Sequence, residues 1–281
     1  MKIPTFENKK DLFEWLTANK STLIAQKKAI IKHADNCVLN SGTEVQREDG
    51  VAIKANEPIT EPKEELNVVV AINTTNILDS HKDVHIPGLW KKSLKENGAN
   101  IMHLREHKSG SFEHIIANGA DLKAYTKTYS FAKLGYPQFE GSTQALMFDS
   151  KVRKDRNPFM HNQYAKGYVT NHSVGMRYVK IYMCVNSTDY PEEYAMWEKY
   201  YPQIANKADA DKIGYFFAVT EAKVIEGSAV PMGSNFVTPT VDNNKEEPGA
   251  PTPQVDDTEE PTPNTLIGVA DYFKQNKIFK D

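Results

Sequence analysis

The residues best suited to covalent chemistry in this 281-residue chain lie in Asn171-His172-Ser173-Val174-Gly175-Met176, where a serine stands two places before a glycine in a long run of strand-forming residues. A glycine there lets another backbone approach the serine closely. His172 cannot easily act as its base, because adjacent strand residues point to opposite faces. The base must come from elsewhere in the fold. His107 is a candidate, since it follows the short apolar run Ile101-Met102-His103-Leu104 at a point where a strand end would project it. A serine–histidine pair also needs a third group that orients the imidazole and stabilises its cation. Glu221, in Phe217-Ala218-Val219-Thr220-Glu221-Ala222-Lys223-Val224-Ile225, shares a strand face with Phe217, Val219 and Ile225. A carboxylate in that position is either partly buried and paired or at an exposed edge.

A second chemistry competes for the same histidine. His103-Leu104-Arg105-Glu106-His107 has the H-x-x-E-H spacing by which a helix presents two zinc-binding imidazoles on one face, with a glutamate between them as general base. Glu192 or Glu193 would then supply the third ligand. Against it, the stretch from Asn100 to Lys108-Ser109-Gly110 leaves little room for the long helix such a motif requires. His33, His81, His85, His114 and His161 read as surface or core residues. No cofactor site is expected.

These groups need a scaffold. Val, Ile, Tyr, Phe and Thr enrichment predicts strands over Leu66 to Thr74, Ile115 to Ala117, Asp121 to Phe131, Thr143 to Val152, Tyr168 to Val185 and Ile213 to Ile225. Helices are expected from Pro87-Gly88-Leu89-Trp90 to about Gly98, and from Tyr190 to about Asn206. Many strands, few helices and no regular βαβ alternation predict an α+β fold built on an antiparallel sheet or barrel with flanking helices, over residues 66–236.

The flanks read differently. Residues 1–35 form a basic amphipathic segment of one or two helices, with Leu12, Phe13, Trp15, Leu16, Leu23 and Ile24 on one side and lysines on the other. Residues 36–65 read as a linker. From Pro239 to Asn264, seven acidic residues against Lys245 give a charge of −6, so the net −3 of the chain conceals +3 elsewhere. Residues 237–264 are therefore expected to be a disordered acidic Pro-rich linker, and 265–281 a short amphipathic helical tail. Cys37 and Cys184, the only cysteines, exclude a disulfide scaffold. The apolar runs are too short for a transmembrane helix, and Met1-Lys2-Ile3-Pro4 opens no signal peptide, so the expectation is a protein of the cell interior with no membrane or direct nucleic-acid partner.

The order of the motifs adds a resemblance. Asn76-Ile77-Leu78-Asp79-Ser80-His81-Lys82-Asp83-Val84-His85-Ile86-Pro87-Gly88-Leu89-Trp90 resembles the opening D-x-x-x-D-v-i-x-P-G-a-f stretch of tailed-phage prohead proteases, relatives of herpesvirus assemblin. A histidine ending an apolar strand (His107), a hairpin segment (Phe112 to Tyr129), an S-x-G-m strand (Ser173 to Met176) and an acid-containing strand (Glu221) leading to Gly227-Ser228-Ala229-Val230 follow in the family's order. The resemblance covers about residues 66–236. Lys108 replaces the Asp that many members carry after the histidine, and Leu89-Trp90 replaces the small and aromatic pair. The similarity implies an assemblin-like antiparallel β-barrel with helices outside, and a Ser173–His107–Glu221 serine endopeptidase. Its implied substrates are scaffold protein, the major capsid protein and itself, inside the procapsid in the host cytoplasm, with self-association among its partners. A catalytically silent scaffold or capsid component on the same fold is the alternative from another class. The terminal segments would serve packaging or docking, with the acidic linker as a self-cleavage region.

Overall fold

The computed structural model describes residues 3–31, 45–46, 52–53 and 63–242. In chain order the helices are α1 (Lys9–Ala18), α2 (Lys20–Ala29), α3 (Lys91–Asn97), α4 (Pro158–Ala165), α5 (Pro191–Tyr200) and α6 (Lys207–Ile213). The strands are β1 (Val45–Gln46), β2 (Ala52–Ile53), β3 (Glu65–Thr74), β4 (Asp83–His85), β5 (Met102–Arg105), β6 (Ile115–Asn118), β7 (Leu122–Ser130), β8 (Ser142–Arg153), β9 (His172–Val185), β10 (Tyr215–Ala229) and β11 (Thr240–Asp242).

The long strands divide between two sheets. One follows the order β4-β10-β5-β6 with β9 on the free side of β10, and the other is β11-β3-β8-β7. The mixed α+β class is as expected, but among the described residues no hydrogen-bonded ladder joins the sheets into a closed barrel. Nor is the pairing wholly antiparallel: β4 and β5 both run parallel to β10, on the same edge. The gap between them is filled by the Pro87-Gly88-Leu89-Trp90 turn and α3. Leu89 O accepts from Ala222 N at 3.0 Å, and Ser93 Oγ accepts from Val224 N at 2.9 Å. That edge of β10 is therefore satisfied along its length, as buried backbone requires.

The hydrophobic core lies between the sheets, where Val68, Val70 and Ile72 of β3 and Leu146 and Phe148 of β8 meet Val174, Met176 and Tyr178 of β9 and Val219 and Val224 of β10. Phe13, Leu16 and Leu23 belong to the same core, so the N-terminal helices are docked, not separable. Asn8 caps α1 by accepting from Asp11 N at 2.9 Å. On α2, Lys27 reaches inward to Asp83, lies 4.4 Å over the Phe217 ring and donates to His81 O at 3.1 Å. Asp83 also accepts from Tyr178 Oη at 2.8 Å, so a buried ion pair ties α2 to the strand that carries Ser173.

The C-terminal boundary also moves. Thr240–Asp242, inside the predicted disordered linker, forms β11 against β3, and Val237, Thr238, Thr240 and Val241 are buried. Among the described residues, the compact unit runs to Asp242. The predicted helix to Asn206 ends at Tyr200 with a 3-10 turn over Tyr201–Gln203, and α4 and α6 were not expected. Most of the 36–65 linker, Cys37, His33, and the acidic segment and tail beyond Asp242 lie outside the described residues; β1 and β2 pair as a small hairpin within that linker.

Candidate active site

Three neighbouring strands of one sheet converge on the site. In the β9–β10 ladder, Ser173 lies directly across from Ser228 and Gly175 across from Glu226. Directly opposed residues share a face with Cβ atoms about 5 Å apart, so Ser173, Gly175, Glu226 and Ser228 form one cluster. The opposite face holds His172, Val174 and Gly227 and turns to the second sheet: a Cβ on Gly227 would strike Phe148 and Ile72.

Glu226 reaches this cluster through a bulge. Val224 opposes Met176 and Glu226 opposes Gly175, so Ile225 is an extra residue in the ladder. Strict alternation would send Glu226 to the side of Val224, into the core; the bulge turns it back to the side of Ser173. Once there, its carboxylate needs space against the backbone of β9. A Cβ on Gly175 would collide with Glu226 Oε1 and crowd its Cδ. The glycine of the Ser-Val-Gly-Met stretch therefore makes room for this carboxylate, not for an approaching backbone.

His107 enters from the end of β5. Glu106 and His107 both have positive φ (55° and 58°), and Lys108 N donates to Arg105 O at 3.1 Å, the signature of a type I′ turn built without glycine. Two consecutive non-glycine residues in the left-handed region are costly and persist only where surrounding contacts hold them. Here the contacts are specific. His107 N donates to Ser228 Oγ at 3.0 Å, Ser228 Oγ donates to Glu226 Oε2 at 2.6 Å, and His107 Nδ1 lies 2.6 Å from Glu226 Oε1. With a carboxylate oxygen as its partner, Nδ1 carries the ring proton and Nε2 keeps its lone pair. Glu226 is 4% exposed.

Of the three residues expected to act together, Ser173 on β9 and His107 just past β5 flank β10 from its two edges at the Ser228 end, and Glu221 does not reach that end. Glu221 opposes Lys180 in the ladder, its Oε2 is 2.7 Å from Lys180 Nζ, and Lys92 Nζ stands 3.8 Å from its other oxygen. Lys180 beside it lowers its pKa. Five residues of strand put it roughly 16 Å from Glu226, beyond the reach of His107. The place intended for Glu221 is filled by Glu226, with Ser228 as a fourth polar group; neither stood out by periodicity.

Behind Ser173, on the core side, runs a second polar chain. Ser150 Oγ is 2.9 Å from His103 Nδ1, Tyr164 Oη is 3.2 Å from His103 Nε2 and 3.1 Å from His172 Nε2, and His172 Nδ1 is 3.0 Å from Thr238 O. Because Thr238 O only accepts, one direction satisfies every member: Ser150 donates to His103, His103 to Tyr164, Tyr164 to His172, and His172 to Thr238. Both imidazoles are then neutral. Burial pushes His172 down to about 4 and His103 well below its ordinary value.

This arrangement also separates the H-x-x-E-H residues. The segment is strand and turn, so His103 is locked in the core chain and Glu106 pairs with Lys108, while His107 faces Glu226. Glu192 and Glu193 bind Lys20 of α2. Among the described residues, no three His, Cys, Asp or Glu side chains gather where they could hold a metal ion.

Comparison with protein-family models, with curated proteins and with solved structures finds no match to the chain.

Proposed function

We propose that the protein is a serine endopeptidase of the phage prohead type, with Ser173 as nucleophile, His107 as general base and then acid, and Glu226 as the group that holds His107. The observation that carries this reading is the His107 Nδ1–Glu226 hydrogen bond, with Ser228 bracing both partners and Ser173 across from Ser228.

In the proposed reaction, Ser173 Oγ attacks a peptide carbonyl carbon while His107 Nε2 takes its proton. The C–O bond forms as the carbonyl π pair moves onto oxygen. The C–N bond then breaks, and the imidazolium returns the proton to the leaving amine. Water repeats the sequence on the acyl-enzyme and releases the acid. Glu226 fixes the tautomer and stabilises the imidazolium between the two transfers, as an acid buried against its histidine does. Ser228 occupies the second carboxylate oxygen, which keeps Glu226 from rotating away.

The fold proposed for this reading is assemblin-like, with the two sheets corresponding to an opened barrel. The proposed substrates are scaffold protein, the major capsid protein and the protease's own flanks, cleaved inside the procapsid in the host cytoplasm. Co-expression with the capsid and scaffold proteins of the same phage tests it. The wild type should yield processed capsid protein and shortened protease chains, and Ser173→Ala should fold normally and yield neither. Processing by folded Ser173→Ala at the wild-type rate would overturn the assignment, and a silent wild type would favour the non-catalytic capsid component.

A further inference from the structure

The face of β9 that carries Ser173 continues past the site. β9 runs without an extra residue from Ser173 to Tyr178, so Gly175 and Arg177 follow Ser173 on one face while Val174, Met176 and Tyr178 turn to the core. Four residues of strand place Arg177 roughly 13 Å from Ser173. Directly across the ladder from Arg177 stands Lys223, and both are exposed. Like charges opposed in a sheet repel and cost stability. The next rung on the same face shows what stability alone selects: Glu221 faces Lys180, with 2.7 Å between Oε2 and Nζ.

Among the described residues, neither Arg177 nor Lys223 forms an ion pair. The two carboxylates nearest in the ladder are engaged elsewhere: Glu221 with Lys180 and, at 3.8 Å, Lys92, and Glu226 with His107 and Ser228. Val179, passed over by the pairing, is an exposed apolar side chain beside the two cations. Beyond Lys180 the same face is covered, since Cys184, Phe216 and Ala218 pack with Trp197 and Tyr200. The open stretch therefore lies between that cover and the Ser173 cluster. A rung that breaks the stabilising pattern on the face of a candidate site is where a binding role is expected.

We infer that this stretch of the β9–β10 ribbon is a docking strip for an acidic segment of the protein substrate, engaged several residues to one side of the scissile bond. Charge complementarity selects that occupant: a carboxylate between Arg177 and Lys223 offsets their repulsion and accepts hydrogen bonds from both. Val179 offers the same segment an apolar contact. The strip continues from the proposed nucleophile along one strand, so an extended peptide beside it, rising about 3.3 Å per residue, sets its acidic residue about four positions from the cut. The inference rests on the serine-endopeptidase reading, which supplies the cut from which that distance is counted. Arg177 and Lys223 act on binding and register, not on proton transfer.

The test is cleavage profiling of a proteome-derived peptide library by full-length wild type, Lys223→Glu and Arg177→Gln/Lys223→Gln, with Ser173→Ala as background. Wild-type cuts should be enriched in Asp or Glu about three to six residues from the cut, on one side of it. For the best such peptide against its Gln or Asn isostere, the double variant should lose about tenfold of the preference in kcat/KM, about threefold for each exposed cation. Raising salt from about 0.05 M to about 0.5 M should erase the same preference in wild type. Lys223→Glu separates docking from packing: it turns the repelling rung into a matched pair, so its melting temperature should rise while the acidic preference falls. Binding of the acidic peptide and its isostere to Ser173→Ala, with and without Arg177→Gln/Lys223→Gln, followed by fluorescence anisotropy, gives the comparison without turnover. Wild-type cutting without acidic enrichment at that distance, or an unchanged preference in the folded double variant, overturns the docking strip and leaves the protease reading standing. A lower melting temperature in Lys223→Glu would mean that Lys223 supports the fold, and overturns its docking role. No cutting above the Ser173→Ala background overturns both the strip and the protease reading.

Discussion

Glu221 and Glu226 lie five residues apart on β10 and meet opposite fates. At the Glu221 end, the carboxylate faces Lys180 across the ladder with Lys92 alongside, all three at or near solvent. At the Glu226 end, the carboxylate is enclosed, both of its oxygens are bonded, and its neighbours are a histidine in a strained turn and two serines. Exposed ion pairs of the first kind contribute little to stability and are exchanged readily. A buried carboxylate of the second kind is destabilising unless its partners are held in place, and the Ile225 bulge, Gly175 and Ser228 do the holding. The ladder shifts register on both sides of Glu221 and again between Val224 and Glu226, so irregularity alone does not separate the two ends; enclosure does, and the proposed chemistry sits at the enclosed end.

The largest expected effect breaks this contrast directly. Glu226→Gln should lower kcat/KM by about 10³–10⁴, because the amide no longer enforces the base-competent tautomer, while Glu221→Gln should leave it within about twofold. Steady-state kinetics on one peptide, with circular dichroism to show that both variants fold, checks the pair. Equal losses, or a greater loss at Glu221, would return the third role to Glu221.

Gly175→Ala comes next. The added methyl meets the Glu226 carboxylate, so overpacking of about 1–3 kcal/mol is expected together with loss of activity. In a Glu226→Ala background the same substitution should cost little, because the colliding oxygen is gone. A double-mutant cycle read by urea denaturation gives the coupling. Additive effects would mean that Gly175 serves something other than Glu226.

These particulars show what was legible in the sequence. Ser173 and His107 could be singled out because a serine on a strand and a histidine at a strand end are local features, marked by the residue type and by the end of an apolar run. The six predicted strands all formed, since β-branched and aromatic runs carry their own signal. Glu226 was missed because its placement depends on one extra residue in a ladder, and alternation counted from Val224 points it into the core. The available sign was Lys223, which shares the face of Glu221 and marks that face as exposed. The docked N-terminal helices were missed for a similar reason: a lysine-rich helix reads as solvated, and only the partner Asp83 explains why Lys27 turns inward. Barrel closure, which the described residues do not show, was not legible either, because which edges close is decided by distant pairings that no local pattern encodes.

The two ends of the ribbon should also part company in acid. His172 backs the Ser173 end as a neutral donor–acceptor, and burial holds its folded pKa at about 4 against an ordinary 6.5. A histidine with a depressed folded pKa contributes its full stability above the unfolded value and loses it as pH falls from about 6.5 to about 4, a difference of about 3 kcal/mol. His103 shifts in the same direction. Asp79 opposes them, since burial and the charge of Asp83 raise its folded pKa to about 7, so its contribution grows as pH falls below that value. Glu221, lowered by Lys180, loses its contribution as pH falls through and below its ordinary value of 4.5, at the acid end of the histidine window. His172→Gln, uncharged at every pH, isolates the histidine: the stability difference between wild type and variant should shrink by about 3 kcal/mol between pH 7 and pH 4, as read from urea denaturation at each pH. Glu221→Gln should leave the stability profile unchanged from pH 7 to about pH 5.5, above the carboxylate range. A His172→Gln difference independent of pH would mean that the imidazole takes up its proton without leaving the core, and that the chain from Ser150 to Thr238 does not require neutrality to hold the strand of Ser173 in place.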